Sequence, residues 1–201
     1  MIKKLFHYRS SAIWLLFTLL AIALLTALGP AEKALGAHVR VVYLHGAWVW
    51  AALAAFVAAG MLGLVGLLTR REVFYAWSCA LGRTGVIFWI TYLPLSLWAM
   101  QANWNGLFLA EPRWRLALAF AAGGLILQIG LSLVGKPSWT AAGNILFCVL
   151  LFYAVAGVQN IMHPGSPIFS SEARLIQVYF ISLFLLALLA VWWVARWLKT
   201  N

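Results

Sequence analysis

Two histidines carry the chemistry that most needs positioning. His45 sits in the stretch R-V-V-Y-L-H-G-A-W, Arg40 to Trp48, and His163 in N-I-M-H-P-G, Asn160 to Gly165. Each lies at the edge of a long apolar run. Neutral imidazole is a good ligand for heme iron, and two can fill both axial positions. One interfacial histidine alone needs only a carbonyl or water as partner; two at matching depth on one side point further. Between them runs Met100 to Trp114, M-Q-A-N-W-N-G-L-F-L-A-E-P-R-W, a polar and aromatic interruption of a greasy chain. It holds Glu111, one of four acidic residues, beside Arg113, with Trp104 and Trp114 towards its ends. A flat apolar and aromatic surface of this kind would support a porphyrin, whose propionates could pair with Arg113, Arg115, Arg40 or Arg174.

Other ligand sets compete. His38 precedes His45 by seven residues, so one continuous helix would put both on one face. A zinc site from His38, His45 and His163 with Glu111 or Glu172 is conceivable. No H-E-x-x-H pair supports it. Cys79 and Cys148 lie far apart inside apolar runs, without C-x-x-C spacing, and read as small buried hydrophobes.

The elements that must hold these residues are membrane spans. Of the 201 residues, 65% are hydrophobic and 9% charged, against roughly 25% charged in a soluble domain. Mean hydropathy is +0.96. Six apolar runs can be drawn, at about 12–28, 42–68, 80–100, 116–134, 139–161 and 175–198. Each reaches or approaches the ~20 residues that cross a hydrocarbon core, far more than a barrel strand needs. The expected fold is all-α, a polytopic six-transmembrane-helix bundle forming one domain. The Met1–Arg9 head is basic, but the run after it is long enough to stay as a span rather than a cleaved signal.

The net charge of +10 does not imply nucleic acid, because no polar domain exists to carry it. It fits basic residues at helix ends facing anionic lipid. With the N-terminus inside, nine of the fourteen Lys and Arg residues fall on the cytoplasmic side, namely Lys3, Lys4, Arg9, Arg70, Arg71, Arg83, Lys136, Arg196 and Lys199. That bias predicts an N-in/C-in orientation. His38, His45 and His163, with Glu32, Glu111 and Glu172, then share the outer face.

Within the spans, Gly60, Gly63, Gly66 and the pair Gly123-Gly124 are expected to permit close helix approach. Interfacial belts account for most tryptophans: Trp14, Trp77, Trp139, Trp193 and Trp197 inside, and Trp48, Trp50 and Trp98 outside. Pro94 should kink the third span. A charge at mid-membrane costs at least ~2.5 kcal/mol, so Arg83 is expected to snorkel to the inner surface.

Taken together, these stretches resemble the CcmC-like cytochrome c assembly family. Arg40–Trp48 is similar to that family's R-I-x-Y-x-H-V-P-A-A segment. The middle stretch resembles its tryptophan-rich motif, W-G-x-W-W-x-W-D-A-R: without gaps, Trp104 matches the first tryptophan, Glu111 the aspartate and Arg113 the arginine. Asn160–Gly165 is similar to N-T-L-H-Q-G. The resemblance implies heme b held at the outer face, with His45 and His163 as axial ligands. Trp104, Phe108, Glu111 and Arg113 would lie along the ring platform. The sequence departs from the motif at Leu107, Phe108 and Ala110, which replace tryptophans, and at Pro112, which replaces a small residue.

The function so implied is heme binding and presentation for cytochrome c maturation, with ligand exchange at iron rather than bond-making catalysis. It would operate in a bacterial or organellar inner membrane, beside other membrane subunits and a heme chaperone. The alternative is a heme-carrying electron-transfer subunit, or a heme-free scaffold subunit, of a larger membrane complex. A transporter is disfavoured because the spans hold little polarity beyond Gln128, Thr91, Ser96 and small hydroxyls.

Overall fold

The computed structural model describes residues 2–159, 168–169 and 172–199. Six helices follow in order: α1 Ile2–Ala27, α2 Val39–Thr69, α3 Glu72–Trp104, α4 Pro112–Val134, α5 Pro137–Gly157 and α6 Arg174–Lys199. All six contain a stretch long and apolar enough to cross a membrane. The protein is a multi-pass membrane bundle, and no strand occurs among the described residues.

Most helix ends overrun the apolar runs because backbone hydrogen bonding, unlike lipid solvation, does not stop at the first polar side chain; α5 is the exception, ending at Gly157 with Val158 extended, short of the expected 161. Apolarity marks where a helix is in lipid, not where it ends. The 33 residues of α3 would span about 50 Å at ~1.5 Å per residue, well beyond a core of ~30 Å. Its first two turns and its Gln101–Trp104 end therefore lie outside the expected 80–100 run. Helix ends carry local stop signals. Asn105 closes α3 in the left-handed region (φ 52°) and Gly135 closes α4 (φ 66°). Pro112 and Pro137 open α4 and α5 at positions where no amide donor is required. Pro94 is carried inside α3 without breaking its helical assignment.

The core is a tight antiparallel pair, α2 against α3, flanked by α5, α6 and α4, with α1 applied against α6. Small residues make this closeness feasible. Ala47, Ala51, Ala52, Ala55 and Ala59 of α2 are all buried. A side chain at Gly63 would meet the Ala141 carbonyl and the Ser78 hydroxyl, each at 3.0 Å. Gly124 is likewise packed, against Phe147 and Val86, whereas Gly123 faces open space and makes no close approach. The expectation for that pair holds for one member only.

Polar pins cross the interior. Asn144 of α5 accepts from Gln128 Nε2 of α4 at 2.8 Å. It donates to the Ser78 carbonyl at 2.9 Å and to Ser78 Oγ at 3.1 Å. Ser78 Oγ in turn donates to the Ala59 carbonyl of α2 at 2.8 Å. This chain ties four helices together and was not legible as a network, because Asn144 looks like one polar residue in an apolar run. Trp89 Nε1 adds a bond to the Ala117 carbonyl at 3.0 Å. At one end of the bundle Trp14 stacks on Trp193 and Trp77 on Trp192, with Lys199 4.3 Å from the Trp77 ring. Aromatic and basic side chains so grouped are what a membrane–water boundary favours. Trp48, expected in the outer belt, stacks on Phe88 and donates to Thr91 Oγ1 at 2.9 Å, locking α2 to α3.

Candidate functional site

The start of α2, the end of α3, the start of α4 and the start of α6 meet at the opposite end of the bundle. Asn103 Nδ2 donates to the His38 carbonyl at 3.3 Å, and Tyr179 OH donates to the Leu25 carbonyl at 2.8 Å. The 28–38 connection folds over this end as an ordered turn. Glu32 and Gly36 exchange backbone hydrogen bonds, and Glu32 Oε2 accepts from the Ala34 and Leu35 amides at 2.8 and 3.0 Å. Those two donors hold the Glu32 carboxyl below its ordinary range. Arg40 Nε donates to the Gly29 carbonyl at 2.8 Å, fastening the turn to α2.

Beneath it lies a cavity of about 490 Å³, within the ~300–1,000 Å³ typical of small-molecule sites. Its lining brings together His45 from α2, Trp104 from α3, Glu111 from the α3–α4 connection and Arg113 from α4. These four of the six sequence-derived site residues come from segments some sixty positions apart. Phe108 is not in the lining; it is 39% exposed and its ring meets Trp104 edge-on, centroids 5.7 Å apart. His163 lies outside the described residues.

The lining also contains residues that motif reading missed. Tyr92, Ser96, Met100 and Asn103 form a stripe along α3, facing Val42, His45, Val49 and Trp50 of α2. Their spacing of four, four and three is the helical signal that could have found them. His45 packs against the Tyr92 ring, centroids 5.5 Å apart. Trp89, Trp114, Phe169 and Phe180 complete walls that are mostly apolar and aromatic.

Glu111 has a structural duty. Its backbone is non-helical, and its Oε2 accepts the Trp114 amide at 2.6 Å, capping α4. A carboxylate there meets the partial positive charge of the helix start. Glu111 is only 5% exposed, and its second oxygen, Oε1, is buried without a hydrogen-bond partner among the described residues. So are Asn103 Oδ1 and Arg113 Nε. Buried polar atoms are normally satisfied. All three belong to residues that line this one cavity.

The residues suit a flat apolar molecule with an anionic edge. Aromatic walls take the face, Arg113 offers a guanidinium for a carboxylate, and His45 offers an imidazole. Among the described residues no group of three His, Cys, Asp or Glu side chains could hold a bare metal ion, so the zinc reading gains nothing here. No family model, no curated protein and no solved structure matches this chain.

Proposed function

We propose that this protein binds heme b in the cavity at the α2–α3–α4 end, as a heme-presenting component of cytochrome c maturation. The observation that supports the reading is the convergence of His45, Trp104 and Arg113 on one aromatic-walled cavity. Heme, when bound, would supply an iron open to ligand exchange. His45 would hold the iron from α2, and His163, outside the described residues, would be its second ligand. Trp104 and the α3 stripe would hold the ring by apolar contact, and Arg113 would pair with a propionate. Glu111 positions Arg113 by fixing the first turn of α4. The reading places this end on the extracytoplasmic face of a bacterial or organellar inner membrane, where an acceptor can reach it.

The test is the visible spectrum of the purified protein, oxidised and reduced, beside His45→Ala and His163→Ala. A low-spin b-type spectrum lost or converted in each variant supports bis-histidine ligation. Transfer of that heme to an added apo-cytochrome or heme chaperone supports presentation, and a stable heme that resists transfer supports an electron-transfer subunit instead. Protein that stays colourless after heme is supplied overturns the proposal and leaves a scaffold role.

A further inference from the structure

A second crevice, of about 270 Å³, opens at the other end of the bundle, between the start of α3 and the α4–α5 turn. Arg83, Lys136 and Ser132 line it, with Glu72 at its edge and Tyr75 and Cys79 in its wall. Arg83 is eleven residues past Glu72 in α3, roughly 16 Å along the helix axis, and lies near the start of the 80–100 apolar run. Its side chain reaches across to α4, where Nη2 donates to Ser132 Oγ at 3.5 Å. That bond is long for a guanidinium. Among the described residues neither Arg83 nor Lys136 forms an ion pair, although Glu72 shares the crevice. Two cations against one carboxylate leave the crevice with a net positive charge that an anion would balance.

We propose that this crevice binds a phosphate group, supplied by the headgroup of an anionic phospholipid. Arg83 takes the phosphate from inside with its planar fork and Lys136 from the mouth as a point charge, while Ser132, whose Oγ donates to the Gln128 carbonyl at 3.0 Å, steadies the Arg83 guanidinium. Exposed apolar side chains of α4, Ile126, Ile129 and Leu133, offer the surface along which acyl chains would lie. Basic pockets between membrane helices are a recurrent way to recognise such headgroups. The site is independent of the cavity holding His45.

The test uses the full chain in detergent, with native mass spectrometry reading retained lipid. Phosphatidylglycerol and phosphatidylcholine are supplied at equal concentration, with and without excess inorganic phosphate. The wild-type protein should retain phosphatidylglycerol over phosphatidylcholine by about tenfold or more, since each cation contributes near the surface. Arg83→Gln with Lys136→Gln should abolish that preference, and Ser132→Ala should weaken it while leaving the fold intact. Loss of retained lipid on adding inorganic phosphate agrees with a phosphate site. Thermal protection by inorganic phosphate, with no preference between the lipids, overturns the lipid source. No preference and no protection in the wild-type protein overturns the site itself, as does an undiminished preference in the double variant. The wild-type arm decides even if the double variant fails to fold.

Discussion

Replacing Glu111 separates two jobs that a motif alone would merge. In the fold it caps α4 through the 2.6 Å bond from the Trp114 amide. Losing an N-cap side chain costs about 0.5–2 kcal/mol, and removing a carboxylate from a helix start adds ~0.3–1 kcal/mol. Burial of the site and the short bond favour the upper part of the range, so Glu111→Ala should destabilise by about 2 kcal/mol. Glu111→Asn keeps a capping oxygen, though not the charge or the reach, and should recover at least half of that. Unfolding in mixed micelles, followed by near-ultraviolet circular dichroism, reads both. Heme titration reads the second job. If Glu111 acts only through the cap, Glu111→Asn should bind heme within about threefold of wild type, a difference under ~1 kcal/mol. A Glu111→Ala protein as stable as wild type would refute the capping argument. A Glu111→Asn protein that is stable but fails to bind would show that the second oxygen touches the ligand.

Other outcomes follow from single contacts. Asn144→Ala removes the hub of the interior network and strands Gln128, whose Oε1 already lacks a partner among the described residues; interhelical bonds in membranes average ~0.6 kcal/mol and a stranded buried donor adds about 1–3 kcal/mol, so the loss should be about 2–4 kcal/mol by micelle unfolding. Gln128→Leu combined with Asn144→Leu should be less destabilised than the two single changes summed, and strict additivity would argue against coupling. Gly63→Val should destabilise by about 1–3 kcal/mol because its side chain meets backbone at Ala141, whereas Gly123→Ala, with open space around it, should be neutral or gain up to ~1 kcal/mol from helix propensity. The depressed Glu32 carboxyl makes the 28–38 turn acid-sensitive. Its contribution is present above the ordinary value of 4.5 and is lost as pH falls through the lower folded value. Exchange of the Ala34 and Leu35 amides should therefore quicken at that acid end, and an identical profile in Glu32→Gln would remove the carboxylate from the explanation.

The bundle was legible because lipid imposes a one-dimensional rule. A chain must present about twenty apolar residues per crossing, and six such runs stand out regardless of partner helices. Helix ends were less legible: Gln101–Trp104 reads as a polar gap but continues α3, and the true stop is the left-handed Asn105. Which glycine packs, Gly124 but not Gly123, depends on helix rotation set by side chains on other helices. Asn144 shows the same limit, since its partners on α3 and α4 are 66 and 16 positions away.

The candidate site divides along similar lines. Residue type flagged His45, Trp104, Glu111 and Arg113, and the fold brings these four to one cavity. The roles within it were hidden. Glu111 stands where a motif reading expects a platform acid, yet its first duty is to the α4 backbone. Phe108 stands where a tryptophan would stack, yet it buttresses Trp104 from the side. Tyr92, Ser96 and Met100 form the wall the ligand would meet, and none carries a motif. A cavity wall is built by helical phase and packing, so only the rare polar or aromatic residue breaks the apolar background enough to be read in advance. For this chain the ligand's polar edge is therefore the better-marked half of the site, and the apolar face that would set most of the affinity is the half that substitutions at Tyr92, Ser96 and Met100 would probe.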